Sequence, residues 1–205
     1  MTARGIWALV PAKGFDRGKS RLGPALSDGA RAAFARSVFD HVLAALARSR
    51  VLGGILVATD SPHVADAALA RGAAVRMDAP GSPTLAAVVD SGLADLAARG
   101  AAGALVLMAD LPRLRSEDVR ALVALLDDHD AVIVRAEDGQ HTNALALAPP
   151  ASLSTAFGRP DSFQAHVAAA RAAGLRLTIV DNPRIAFDVD GPGDHARLLA
   201  TPPRG

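Results

Sequence analysis

The residues best suited to chemistry form two sets of opposite charge. Lys13, Arg17, Lys19 and Arg21 crowd into one short segment together with Gly14 and Gly18. Glycine lets backbone N–H groups approach phosphate oxygens, and lysine and arginine neutralise charge, so this segment suits a polyanion. It is not a P-loop, because Gly14 stands one residue too close to Gly18-Lys19-Ser20 for the G-x-x-x-x-G-K-[ST] spacing. The second set is acidic: Asp110, Asp188 and Asp190, with Asp60 as an outlier. Asp188 and Asp190 are two apart, so on extended backbone they share a side, roughly 6–7 Å apart. Both could then ligate one hard cation, with Asp110 as a third oxygen donor. A few carboxylates plus substrate phosphates is the usual way of binding Mg²⁺. A cation reconciles a polyanion with carboxylates in one site.

Each feature alone has a plainer reading. The basic segment is equally a solvated loop, Asp190-Gly191 an ordinary turn into a helix, and Asp110 a helix-entry aspartate before proline. Their coincidence is what points to a site. The six histidines show no ligand spacing; His166 reads as a packing residue of a helix, and His141 lies where it could touch a ligand. There is no cysteine and no G-x-S-x-G elbow. Phosphoryl or nucleotidyl transfer with a metal needs neither, because a phosphate monoester is already an anion near neutral pH.

Something must bring these residues together, and the pattern of elements says what. Ile6 to Val10 is an apolar run of the kind that forms a buried strand, and the basic segment follows it directly. A helix capped by Ser27 is expected over 28–48, with Phe34, Val38, Val42 and Leu46 as its stripe. Strands are expected at 55–58, 74–77, 104–108, 131–136, 144–148, 177–180 and, in extended form, 185–189. Helices are expected at 61–71, 84–99, 116–126 with Ser116 as cap, and 162–173, with a last short one after Pro192. Strand–helix alternation of this kind gives an α/β sandwich on a mostly parallel sheet. The helix-free stretch 131–148 predicts an antiparallel edge or a mixed sheet. Ligands in such sheets sit at the carboxyl ends of the strands. The basic loop, Thr59-Asp60, Asp110 and Asp188 all fall at such ends.

Composition narrows the partners. The chain has 205 residues, half of them hydrophobic but only 3% aromatic, so one Ala/Val/Leu-rich domain is expected. Basic residues number 22 and acidic 21, which argues against a nucleic-acid or membrane-surface binder and makes the N-terminal charge a local feature. No signal-peptide layout and no apolar run of membrane length is present, so the cytoplasm is the default. Residues 1–201 are expected to form the domain and 202–205 a flexible tail. A homodimer is compatible with the pattern, since an apolar helix face can serve an interface as well as a core.

The opening P-A-K-G-F-D-R-G-K-S-R-L resembles the first motif of the CofC/FbiD guanylyltransferases of coenzyme F420 biosynthesis. The resemblance continues, in order, through A-T-D at 58–60, L-V-L-M-A-D-L-P at 105–112, H-T-N-A-L at 141–145, S-F-Q-A-H at 162–166 and F-D-V-D-G-P-G-D at 187–194. It implies a single-domain GT-A-like (MobA-like) nucleotidyltransferase fold that moves GMP from GTP to 2-phospho-L-lactate, phosphoenolpyruvate or 3-phosphoglycerate. It implies Mg²⁺ on Asp110, Asp188 and Asp190, and the GTP triphosphate on Lys13, Lys19 and Arg21, with Asp60 also on the GTP side. Lys19, Arg21 and Asp110 would be the catalytic group. Thr142, Asn143, Gly158 and Ser162 would meet the acid, and the product would pass to a downstream transferase of the pathway. The chain departs from the family pattern at Gln140-His141, at Pro83-Thr84-Leu85 and in the longer segment Gly158 to Ser162. A MobA-like or sugar-1-phosphate nucleotidyltransferase, or a non-catalytic nucleotide-binding protein, is the alternative.

Overall fold

The computed structural model describes residues 5–17, 20–78 and 84–200. Its centre is a seven-stranded sheet in the order β3-β2-β1-β4-β6-β5-β7. The strands are β1 (Ile6–Pro11), β2 (Gly54–Thr59), β3 (Ala74–Met77), β4 (Gly103–Leu107), β5 (Ala131–Arg135), β6 (Thr142–Leu147) and β7 (Leu177–Val180). All neighbours pair in parallel except β6, which runs against both β4 and β5. The mixed sheet expected from 131–148 is present, but its antiparallel pair is not an edge. β7 adds beyond β5, so the reversed strand lies inside the sheet.

β1 is apolar throughout because it is covered on both faces. Ile6, Ala8 and Val10 pack with Phe39, Val42 and Leu46 of α1 (Asp28–Ser49), Val64 of α2 (Pro62–Ala70) and Val119 and Leu122 of α4 (Ser116–Ala124). Leu9 and Leu56 point the other way, onto Val89, Leu93 and Leu96 of α3 (Leu85–Ala98) and onto Phe163 and Ala170 of α5 (Ser162–Ala172). Each fully buried Leu or Val contributes about 1.5–3 kcal/mol, so two such layers hold the sheet and leave the loops above it free to carry function. Gly54 is dictated by packing: a Cβ there would lie 2.4 Å from the Trp7 ring.

Two helix starts differ from expectation. Ser116 is the first residue of α4 rather than its cap; Arg115 caps, and its N–H donates to Asp118 Oδ2 at 2.9 Å. The segment 185–189 is not a strand. Asn182 caps a short helix, α6 (Pro183–Ala186), by accepting from the N–H groups of Arg184 (3.0 Å) and Ile185 (3.1 Å), and Pro183 fits the first helical position. Extended backbone resumes only at Phe187, outside the sheet. Phe187 and Val189 are buried in a small third cluster with Leu22, which closes a 3₁₀ turn after the basic loop. Leu26, Phe34 and Leu198 of α7 (Pro192–Ala200) pack around them. The alternation Phe-Asp-Val-Asp therefore faces its apolar members to this cluster and its carboxylates away from it.

Candidate active site

A cavity of about 560 Å³ opens at the carboxyl ends of β1, β2, β3 and β4. Lys13, Gly14 and Arg17 line it from the loop after β1, Asp60 from the end of β2, Asp78 from the end of β3 and Asp110 from the end of β4. Leu85 and Val88 of α3 form an apolar wall, and Asp190 closes one side. The loop after β1 is anchored by Phe15, whose ring meets Phe39 edge-on at 5.5 Å. Arg17 forms an ion pair with Asp60, which raises the guanidinium and holds the Asp60 carboxyl below the usual range despite its partial burial. Arg21 stands outside the cavity lining, 79% exposed, with Nη1 3.8 Å from Asp190 Oδ2. Lys19 lies outside the described residues.

Asp110, Asp188 and Asp190 converge: each offers a carboxylate oxygen, and the three lie within 4.8 Å of one another. Three hard oxygen donors on two rigid segments fit a divalent cation of the Mg²⁺ type. Their support is visible. Asn143 Nδ2 donates to Ile185 O (2.9 Å), Ala186 O (3.1 Å) and, at 3.4 Å, Asp188 Oδ1, so the start of β6 fixes the segment that carries two of the ligands. Asp118, 2% exposed, takes Arg184 and Asn182 (2.8 Å) at the start of α6. Burial alone would raise its carboxyl, but Arg184, Asn182 and the Arg115 N–H outweigh it and hold it low. Asp194 Oδ2 then accepts from the N–H groups of Asp190 (3.2 Å) and Gly191 (3.0 Å), so Asp190-Gly191 is both a turn into α7 and part of the acidic cluster.

The residues assigned to the acid, Thr142, Asn143, Gly158 and Ser162, all lie outside the cavity lining. Thr142, Asn143 and Ser162 are 2%, 3% and 2% exposed. Thr142 N–H donates to Ser162 Oγ (3.1 Å), and Thr142 Oγ1 meets His166 Nδ1 (2.9 Å). His166 Nε2 accepts from Ala156 N–H (2.8 Å). Gly158 has φ +86°, which favours glycine, and a Cβ there would approach the Leu85 Cβ to 3.2 Å, at the cavity wall. His141 and Arg159 are each already engaged, by Asp138 and by Asp161.

Sequence reasoning passed over Asp78, and it read His166 as a packing residue, as its full burial in α5 bears out, without its hydrogen bonds. Asp78 follows β3 just as Asp60 follows β2, so the strand-end rule could have found it. Burial pushes its carboxyl up against the opposing pull of Arg76, and its Oδ2 is buried with no hydrogen-bond partner among the described residues. His166 is fully buried, which lowers it from 6.5 to about 4. Unfolded chain therefore takes the proton first, and stability present above pH 6.5 declines as pH falls toward 4. The loss should total on the order of 3 kcal/mol. Unfolding free energies measured at pH 7 and 4.5 should fall further in the wild type than in His166→Asn; equal falls would assign the acid sensitivity elsewhere.

Comparison with known proteins identifies the family and the fold. A family profile described as "Guanylyl transferase CofC like" matches residues 6–201. Phosphoenolpyruvate guanylyltransferase of Rubrobacter xylanophilus is 36% identical over 198 residues, covering 96% of this chain and 94% of its own. 3-Phospho-D-glycerate guanylyltransferase of Phenylobacterium zucineum is 32% identical over 198 residues, covering 95% and 90%. Among solved structures, a nucleotidyl transferase from Methanothermobacter superposes with a TM-score of 0.66 at 16% identity, covering 94% of this chain and 95% of that one. That likeness carries the fold alone, whereas the full-length profile match and the sequence identities carry the family: the chain belongs to the CofC-like guanylyltransferases.

Proposed function

We propose that this protein transfers GMP from GTP to the phosphate of a small phosphorylated carboxylic acid, with release of pyrophosphate, in coenzyme F420 biosynthesis. The observation that carries the reading is the convergence of Asp110, Asp188 and Asp190 beside a cavity lined by the cationic loop after β1. A phosphate oxygen of the acid attacks the α-phosphorus of GTP, the bond to the β-phosphate oxygen breaks, and a guanylyl phosphoanhydride remains. Asp110, Asp188 and Asp190 would hold Mg²⁺, which when bound neutralises charge on the α-phosphate. Lys13, Lys19 and Arg21 steady the triphosphate and the leaving pyrophosphate. Thr142, Gly158 and Ser162 take the acid, and Asn143 supports them by fixing the 185–188 segment. The anhydride is an activated product suited to a downstream transferase. No helix among the described residues is long and apolar enough to cross a membrane.

The preference for GTP has a candidate reader in Asp78. Guanine presents two adjacent donors, N1–H and N2–H, where adenine presents an acceptor beside one donor. Asp78 lines the cavity with Arg76 on its Oδ1, and its Oδ2, which has no hydrogen-bond partner among the described residues, would accept from the former and repel the lone pair of the latter. Leaving a buried acceptor unpaired costs about 1–3 kcal/mol, or roughly 10- to 100-fold.

The test is purified protein with Mg²⁺, each of the four common nucleoside triphosphates, and each of 2-phospho-L-lactate, phosphoenolpyruvate and 3-phosphoglycerate, read by pyrophosphate release and product mass. GTP with one of these acids is the expected pair, and Asp78→Asn should narrow the GTP-over-ATP ratio. Release only with a sugar phosphate or a pterin acceptor would overturn the reading.

A further inference from the structure

We infer that His166 is a positioning residue for the acid substrate: held by Ala156, it donates to Thr142 Oγ1 and thereby frees the Thr142 hydroxyl proton for the acid's anionic group. The inference rests on the proposal that Thr142 meets the acid, and it adds the reason that hydroxyl is available as a donor.

The order of the hydrogen bonds is fixed by one group that cannot change roles. A backbone N–H only donates, and Ala156 N–H points at His166 Nε2 at 2.8 Å. Nε2 must therefore present its lone pair, and a neutral imidazole then carries its proton on Nδ1. Nδ1 lies 2.9 Å from Thr142 Oγ1, so the ring donates and the hydroxyl accepts. A hydroxyl that accepts from one side must send its own proton elsewhere. Thr142 N–H is already given to Ser162 Oγ at 3.1 Å, which leaves the hydroxyl proton as the donor that Thr142 retains. In the other tautomer the hydroxyl would have to donate to the ring, and Thr142 would offer an anion only lone pairs.

The surroundings enforce this state. His166 is 0% exposed in the middle of α5, with its ring tilted against Phe157 at 4.7 Å. A second ring proton would set N–H against the Ala156 N–H in an apolar site, a state that burial opposes. The network also ties together the three places from which the acid site is built: the start of β6 through Thr142, the start of α5 through Ser162, and the 153–158 segment through Ala156. Gly158, two residues after Ala156, reaches the cavity wall at Leu85. A histidine needed only for packing would leave the polarity of these bonds immaterial.

Two substitutions separate the ring's two bonds. In His166→Gln the Oε1 can replace Nε2 as acceptor for Ala156 N–H, while the donor to Thr142 is lost. In His166→Asn the Nδ2–H can replace Nδ1–H toward Thr142, while the bond to Ala156 is lost. With GTP saturating, His166→Gln should raise KM for the acid about tenfold, the scale of one hydrogen bond to an anion, and leave KM for GTP within about twofold. His166→Asn should recover most of the acid KM even where its Tm is lower. In a Thr142→Val background, His166→Gln should add nothing to the acid KM. Equal rises in both KM values, an acid KM unchanged in His166→Gln, or additive effects with Thr142→Val would each overturn the inference. Turnover by the wild type with one of the three acids is measured first, and its absence removes the proposed function by itself. Separately, ¹⁵N-histidine NMR at pH 7.5 should show His166 as the neutral Nδ1–H form. The Nε2–H form would overturn the hydrogen-bond order whatever the activity.

Discussion

Asp188→Asn should lose on the order of 10²- to 10³-fold in kcat for guanylyl transfer, because several kcal/mol of charge stabilisation at the α-phosphate depends on the acidic cluster, at about 1.4 kcal/mol per tenfold. The fold should survive the change. Asp188 leaves its neighbours Phe187 and Val189 in the apolar cluster, and Asn143 continues to hold Ile185 O and Ala186 O. Removing one of three carboxylates whose oxygens lie within 4.8 Å relieves like-charge repulsion, so Tm in chelator should stay level or rise. Divalent cation should raise Tm of the wild type by mass action and not that of the variant. Full activity in Asp188→Asn, or activity of the wild type in excess chelator, would remove the metal from the site.

Lys13→Ala should weaken GTP binding by roughly 10- to 100-fold, the scale of a charge-assisted hydrogen bond to phosphate. Lys13 lines the cavity and Phe15 anchors its loop on Phe39, so the cation is presented from a fixed base. Arg21→Ala should lose less at physiological salt, since that side chain is 79% exposed and screened. Calorimetry with a non-hydrolysable GTP analogue decides the matter, and KM for the acid should change little in either variant. Unchanged nucleotide affinity in both Lys13→Ala and Lys19→Ala would return the segment to an ordinary solvated loop.

Much of the site could be read from the chain because simple rules place it. A buried strand followed by a turn delivers its next residues to one edge of the sheet, which is why Lys13, Asp60 and Asp110 were found. Alternation along extended backbone placed Asp188 and Asp190 on one side, and that held even though the segment is not a strand. The helix at 183–186 was announced by Asn182-Pro183, a cap and first-turn proline hidden behind the apolar residues that follow. Other features had no local signal. Asp118 meets Arg184 across 66 residues, and Thr142 meets His166 across 24. Such pairs are set by how helices seat on the sheet, and only the folded chain brings them together. The same holds for Thr142 and Ser162, whose near-complete burial no pattern of hydrophobicity foretells.

The reversed strand β6 has a consequence for how such enzymes diversify. It divides the sheet into a parallel half, β3-β2-β1-β4, whose loops line the cavity, and a second half, β6-β5-β7, from which the residues assigned to the acid descend. The carboxylates stand at the seam, where Met108 N–H meets Asn143 O at 3.1 Å. Substitutions confined to the second half would then alter the proposed acid subsite while leaving the cavity and its cationic loop in place.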